Sequence, residues 1–266
     1  MEDYNLESRG IAYRSNGVNP GKKTLVFVHG LSGSASAWQK FEKQFEKDFN
    51  LITFDLRGHG LSVRPRHYSG YALGEFVEDL NLLLQELRVG RFYFIAHSFG
   101  ALVARDYIAH YPGEVTGAVF LAAPYRLWST WHHFAAWSAF VFRALCELWP
   151  LPLPRGRRLD YSGFHYSPDW DISRIAPDIY QMGVRSYLRG LCRQYEDRDE
   201  GWEKVVMPST LVHGTADSFV PVSQAQALAK LMPYAKLKLV DGANHMLVIN
   251  NVEEVCLIIG EFCALD

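Results

Sequence analysis

A doubly wound α/β fold, with a mostly parallel sheet and an inserted helical cap, is predicted by three features of this 266-residue chain. Short, continuous apolar runs recur along it. Helix-length amphipathic segments separate them, and one internal stretch interrupts the alternation.

The runs lie at residues 25–28, 51–54, 92–95, 119–121, 210–212 and 237–240, and are rich in Val, Leu, Ile and Phe. Continuous apolar stretches of this length suit strands buried on both faces of a parallel sheet. Between them, residues 73–87 place Phe76, Leu80, Leu83, Leu84 and Leu87 on one helical face. Strand and helix patterns alternating in this way are the signature of doubly wound folds. Ahead of them, residues 4–14 around Gly10 read as a short antiparallel hairpin on the sheet edge, and residues 252–262 as a closing helix. Strand-like runs vanish from about Arg126 to Lys204, where Pro150, Pro152, Pro154, Pro168 and Pro177 punctuate helical pieces. The expected organisation is a core at 1–125 and 205–266 with a helical cap or lid at 126–204.

Composition narrows the function classes. A 48% hydrophobic, 21% charged chain is globular, and no segment approaches the roughly 20 apolar residues of a spanning helix. A net charge of −2 gives no basic footprint, so nucleic acid is not an expected partner. The acidic start, Met1-Glu2-Asp3-Tyr4-Asn5, is not followed by a cationic and then apolar stretch; no secretory signal is expected, and residence is expected in the cytoplasm. Cys146, Cys192, Cys256 and Cys263 lack C-x-x-C spacing, so reduced thiols are expected, with no metal and no cofactor.

The chemistry begins at Ala96-His97-Ser98-Phe99-Gly100, which puts a serine between a strand and a helix with small residues two positions away on either side. A sharp, strained elbow needs such neighbours, because bulk there would collide with the adjoining elements. The pattern is A-x-S-x-G where G-x-S-x-G is commoner. Serine alone is a poor nucleophile, so a histidine base and an orienting carboxylate are required. Asp217 follows the strand at 210–212, and His245 follows the last strand, completing the order Ser, Asp, His. The plain alternatives are a turn aspartate and a solvated loop histidine.

With these segments in view the chain resembles the α/β-hydrolase superfamily, in its capped serine esterase and lipase-like branch, over all but the cap. Val28-His29-Gly30-Leu31-Ser32-Gly33-Ser34 is similar to the family's H-G-x loop, and Asp55-Leu56-Arg57-Gly58-His59-Gly60-Leu61-Ser62 to its D-x-R-G-x-G-x-S loop. The resemblance implies that the Leu31 and Phe99 backbone N–H groups form an oxyanion hole. It also implies that the arginine and glycines of the second loop are structural. His97, His29 and His213 are expected to pack rather than react. The strand after the elbow ends Leu121-Ala122-Ala123-Pro124-Tyr125 without a carboxylate, so Asp217 has no good rival.

Serine at the elbow argues against relatives that use aspartate, such as haloalkane dehalogenases and epoxide hydrolases, and implies an acyl-enzyme. A carboxylic ester hydrolase is expected; acyltransferases, perhydrolases and carbon–carbon bond hydrolases share the triad. A ligand receptor on the same fold is the alternative of another class, although no triad position is lost.

In the cap, Trp128, Trp131, Phe134, Trp137, Val141, Leu145 and Leu148 recur at spacings of three and four, a wide apolar helical face. Packing onto the core explains much of it. The remainder points to a wall of the substrate cavity, with Trp128, Trp131, His132, Phe134 and Trp137 as substrate-binding residues. Lipid-surface contact through the cap is a further expectation. The substrate expected is a small-molecule ester with an apolar acyl or alcohol part.

Overall fold

The computed structural model describes residues 1–125, 130–148, 156–161, 163–164, 166–197 and 199–264. Three strands and a helix open the chain: β1 (Glu2–Leu6), β2 (Ile11–Ser15), β3 (Thr24–Val28) and α1 (Gln39–Phe45). The winding continues with β4 (Asn50–Phe54), α2 (Leu73–Glu86), β5 (Phe92–His97), α3 (Phe99–His110) and β6 (Val115–Leu121). An insertion then carries α4 (Thr130–Leu148), α5 (Ile172–Met182) and α6 (Val184–Glu196). The chain closes with β7 (Ser209–Gly214), α7 (Val222–Leu231), β8 (Ala235–Val240), α8 (Leu247–Asn250) and α9 (Val252–Ala264).

Among the described residues the sheet order is β1-β2-β4-β3-β5-β6-β7-β8. β1, β2 and β4 pair antiparallel, and every other pair is parallel. The hairpin joining β1 to β2 turns at Gly10, whose φ of +64° lies in the left-handed region that glycine tolerates. Each apolar run predicted as a strand lies within one.

Alternation of side chains explains why the central runs are apolar throughout. On β3, Val26 and Val28 face the cluster formed with Phe76 and Leu80 of α2 and Leu102 and Tyr107 of α3. Leu25 and Phe27 face the opposite cluster, with Phe41 of α1 and Ile259 and Phe262 of α9. Helices on both faces therefore demand two apolar sets from one strand. Strand order reverses between β3 and β5. At such a switch point the loops leaving the carboxyl ends of the strands diverge and open a crevice.

The insertion joins β6 to β7 and, among its described residues, contains helices and a 3-10 turn but no strand. Asp171 starts α5 by accepting a hydrogen bond from the Ser173 N–H at 3.0 Å. Gly183, at φ +88°, allows α6 to follow α5 after one residue. Two arginines tie these helices to the core. Arg64 donates to the Gln181 and Met182 carbonyls at 3.0 and 3.2 Å, and Arg189 to the Pro65 and Arg66 carbonyls at 2.8 Å each. No helix among the described residues is long and apolar enough to cross a membrane. Cys192, Cys256 and Cys263 are buried, and none of the four cysteines is in a disulfide.

Candidate active site

Ser98 sits between β5 and α3 with φ +51° and ψ −120°, a conformation that L-residues rarely adopt. The elbow is held by backbone bonds: the Ser98 N–H donates to Leu121 O at 2.9 Å, and the Ala101 N–H to Ser98 O at 2.8 Å. Close approach explains the small neighbour. A Cβ at Gly100 would stand 2.5 Å from Val28 O and 2.6 Å from His29 O. At Gly30 a Cβ would stand 2.9 Å from His97 Nδ1 and 3.2 Å from Ser98 Cβ, so glycine lets the loop after β3 lie against the elbow.

Asp217 and His245 come to Ser98 from the loops after β7 and β8. Those loops interlock at Gly214, where an added Cβ would stand 2.2 Å from Ala243 O. Asp217 Oδ1 accepts the N–H groups of Phe219 and Val220 at 2.9 and 2.8 Å. Its Oδ2 accepts Nδ1–H of His245 at 2.8 Å. That bond leaves Nε2 as the acceptor facing Ser98 Oγ at 2.9 Å. Burial opposes the charge on Asp217, but the hydrogen bond and charge of His245 outweigh it and hold the carboxyl below its ordinary range. The three side chains therefore form one hydrogen-bonded row, and all three residues are buried.

His97, His29 and His213 are held by hydrogen bonds to the backbone. His97 donates Nε2–H to the His245 carbonyl at 2.9 Å, and burial, followed by the neighbouring His245, pushes it down to about 3. His29 donates Nδ1–H to Gly30 O at 2.8 Å while its Nε2 accepts the Leu56 N–H at 3.0 Å. His213 donates Nε2–H to Val220 O at 2.8 Å. The loop after β4 is a scaffold. Asp55 accepts from the Ala35 and Leu61 N–H groups at 2.7 and 2.9 Å, and Arg57 makes two 2.7 Å bonds to Asp79. An added Cβ on Gly60 would stand 2.3 Å from the Asp55 carboxylate.

One carboxylate from the insertion reaches this row. Asp169 Oδ1 accepts the His245 backbone N–H at 2.8 Å, and Oδ2 accepts both the N–H and the Oγ–H of Ser218 at 2.8 Å. An edge-to-face chain of rings runs beside it. Trp170 meets Phe219 with ring centres 4.7 Å apart, and Phe219 meets the His245 ring at 5.3 Å.

A cavity of about 390 Å³ opens over Ser98 and His245, a size that suits a small organic ligand. Of the two residues expected to form an oxyanion hole, Leu31, on the loop after β3, lines the cavity, and Phe99 follows Ser98 as the first residue of α3. Trp38, Val248 and Ile249 contribute apolar wall from the core.

The aromatic stripe of the insertion lies elsewhere. Phe134 and Trp137 are 72% and 63% exposed and do not line the cavity. Trp128 and the side chains of Trp131 and His132 lie outside the described residues. The insertion's share of the wall comes instead from Trp170, from Arg174 and Ile175 on α5, and from Tyr187 and Leu191 on α6. Sequence reasoning missed these, and it missed Asp169. A signal was present: Tyr187, Leu191, Gln194 and Tyr195 recur at spacings of four, three and one, a single helical face. The stronger apolar stripe of α4 masked it, because that stripe faces solvent in part rather than the cavity. Among the described residues no group of three or more His, Cys, Asp or Glu is arranged to hold a metal ion.

Comparison with known proteins agrees with this architecture. A family model described as alpha/beta hydrolase fold matches residues 23–252. Human protein ABHD8 is 25% identical over 245 residues, covering 90% of this chain and 54% of that protein. The chain thus spans about half the length of that relative. Among solved structures, the esterase RhEst1 from Rhodococcus sp. ECU1013 superposes with a TM-score of 0.69 at 22% identity, covering 99% of this chain and 98% of that one. MGS-M2, an alpha/beta hydrolase enzyme from a deep-sea metagenome library of the Medee basin, gives 0.75 at 19% identity, covering 99% and 97%. At these identities the structural likeness carries the fold alone.

Proposed function

The chain belongs to the alpha/beta hydrolase family, and from that premise we propose that it is a serine hydrolase that cleaves carboxylic esters through an acyl-enzyme. The observation that carries this reading is the row Asp217 Oδ2, His245 Nδ1, His245 Nε2, Ser98 Oγ, with its 2.8 and 2.9 Å links. The match to the alpha/beta hydrolase family model supports a hydrolase.

Ser98 Oγ attacks the ester carbonyl carbon as its proton passes to His245 Nε2. Asp217 keeps the imidazole in the tautomer that can accept that proton, and stabilises the imidazolium that results. The negative charge on the former carbonyl oxygen is met by the Leu31 and Phe99 N–H groups, the latter at the positive end of α3. Collapse breaks the bond to the alcohol oxygen, which takes the proton from His245. Water, giving its proton to His245, then attacks the acyl-enzyme; the acid departs and Ser98 regains its proton. No metal or cofactor enters these steps.

The insertion serves in this reading as a cap, with α5 and α6 roofing Ser98. The expected lipid-surface contact would fall to the exposed Phe134, Trp137, Phe142, Leu145 and Leu148 of α4, and co-sedimentation with phosphatidylcholine vesicles tests it. The principal test is covalent. A fluorophosphonate should label the native protein stoichiometrically at Ser98, with loss of esterase activity in parallel. A protein left unlabelled, or labelled elsewhere, would sink the assignment and favour a ligand receptor on this fold.

A further inference from the structure

The wall that the insertion lends to the cavity over Ser98 is mixed. Beside the apolar Trp170, Ile175 and Leu191 it carries Arg174, Asp178, Tyr187, Gln194 and Tyr195. Arg174 is the unusual member, because it is the one arginine or lysine lining the cavity among the described residues and is only 5% exposed. Its Nε–H donates to Ser167 Oγ at 2.8 Å and its Nη1–H to Asp178 Oδ2 at 3.1 Å. The third nitrogen, Nη2, has no hydrogen-bond partner among the described residues. Nor do the Gln194 amide or the Tyr187 and Tyr195 hydroxyls, which line the same wall.

Donors left dry when a ligand expels water lose their hydrogen bonds without replacement, so a purely alkyl substrate part packed against this wall would bind at a penalty. An oxygen acceptor placed there would remove it. The charge of that acceptor is also constrained. Asp178 already balances Arg174, and its other oxygen accepts the Tyr161 hydroxyl at 2.6 Å. A ligand carboxylate would put a second anion beside a carboxylate that is itself almost fully buried.

We propose that the α5–α6 wall is a recognition subsite for an uncharged oxygen acceptor, a keto, ether or hydroxyl oxygen carried by the ester away from its scissile carbonyl, with Arg174 Nη2 as the principal donor. The proposal rests on the serine-hydrolase reading of the same cavity and names its substrate class: esters with an oxygen-bearing chain in preference to plain alkyl esters.

Equilibrium binding to the Ser98→Ala protein tests the subsite apart from the chemistry. The ligands are 4-nitrophenyl octanoate, its 4-, 5-, 6- and 7-oxo counterparts, and the 4-nitrophenyl monoester of octanedioic acid; a second set carries the oxo group in an alkyl alcohol part. At least one oxo ester should bind about tenfold more tightly than its alkyl parent, the effect of one added hydrogen bond to a charged donor. The carboxylate-ended ester should bind more weakly than the parent. The oxo advantage should disappear when Arg174→Met and Asp178→Asn are combined, a pair that removes both charges and strands neither. It should shrink in Gln194→Leu. Equal binding of oxo and alkyl esters in both sets overturns the proposal, as does an advantage that survives the double substitution. Tightest binding by the carboxylate ester overturns the uncharged class. If the double variant does not fold, the ligand comparison on Ser98→Ala decides alone. Turnover by the native enzyme is measured beside it: an oxo preference without turnover strikes the hydrolase reading only, and turnover without the preference strikes the subsite only.

Discussion

Asp169 of the insertion and His245 of the core are joined through the backbone: the His245 N–H donates to Asp169 Oδ1 at 2.8 Å. Because Asp169 Oδ2 simultaneously holds Ser218, the neighbour of Asp217, a single carboxylate sets the separation of the two loops that carry acid and base. Ser167, two residues earlier, reinforces the link: its carbonyl accepts from the Asn244 and Asn250 side-chain amides at 2.9 Å each.

Asp169→Asn should therefore lower kcat by up to about 10²-fold with KM nearly unchanged, since a displacement of about 1 Å among reacting groups has an effect of that size. One amide oxygen cannot serve both loops, and its NH₂ group would oppose a donor. Steady-state kinetics with a saturating aryl ester measures this; a rise in KM at constant kcat would assign Asp169 to substrate binding instead.

Ser98→Ala should eliminate ester hydrolysis while leaving thermal unfolding within a few degrees of wild type. Asp217→Asn should reduce kcat by about 10⁴, because an amide at this position allows His245 the wrong tautomer. Near-normal turnover in Asp217→Asn would mean that another group orients the histidine.

Lengthening a plain acyl chain should still help until the apolar wall of Trp38, Val248 and Ile249 is filled. At about 0.8 kcal/mol for each buried methylene, two carbons correspond to roughly a tenfold gain in kcat/KM. Rates for acetyl, butyryl, hexanoyl and octanoyl aryl esters read this directly, and a steady decline from acetyl onward would contradict it.

Stability should decrease as pH falls from about 6.5 towards 4. Burial holds His29 at about 4, with His59 and His97 at about 3, against an ordinary 6.5. The folded state keeps all three neutral while the unfolded chain takes up protons. Stability present above pH 6.5 is thus lost on acidification, by up to about 1.4 kcal/mol per pH unit for each histidine. Asp178, which burial raises to about 6 against the partial opposition of Tyr161 and Arg174, acts in the other direction between pH 6 and 3.8. Burial also raises Asp106, which acts with Asp178, and lowers His213, which acts with the three histidines; four groups outweigh two, and unfolding midpoints from pH 8 to 4.5 will show the slope.

Asp79→Ala should destabilise the fold by about 3 kcal/mol, because it removes two 2.7 Å bonds from the buried Arg57 guanidinium and one from Arg9, leaving Arg57 only Glu75 and the Gly70 carbonyl, each at 2.8 Å. Denaturant unfolding measures the loss. The effect should fall on stability, with the residual kcat of folded protein close to wild type, since Arg57 does not line the cavity.

Strand positions, the edge hairpin and the closing helix were legible in the sequence, because hydrophobic period and run length are local and the two-sided burial of β3 to β6 leaves little freedom in either. The elbow, acid and histidine segments were legible for a related reason. Each follows a strand, where the loops of such a sheet gather, and the order Ser98, Asp217, His245 along the chain matches that of the family it resembles. Composition and periodicity also identified the helical insertion from the loss of strand-like runs after Tyr125. They could not say which face of it meets the core. The aromatic stripe at Phe134 and Trp137 is the most apolar, yet in the folded chain it is exposed, while the less apolar α5 and α6 supply Arg174, Tyr187 and Leu191 to the cavity. That choice depends on how Arg64, Arg189 and Asp169 dock the insertion against loops more than forty positions away in sequence. Contacts of such long range have no periodicity along the chain, so only the tertiary structure decides them.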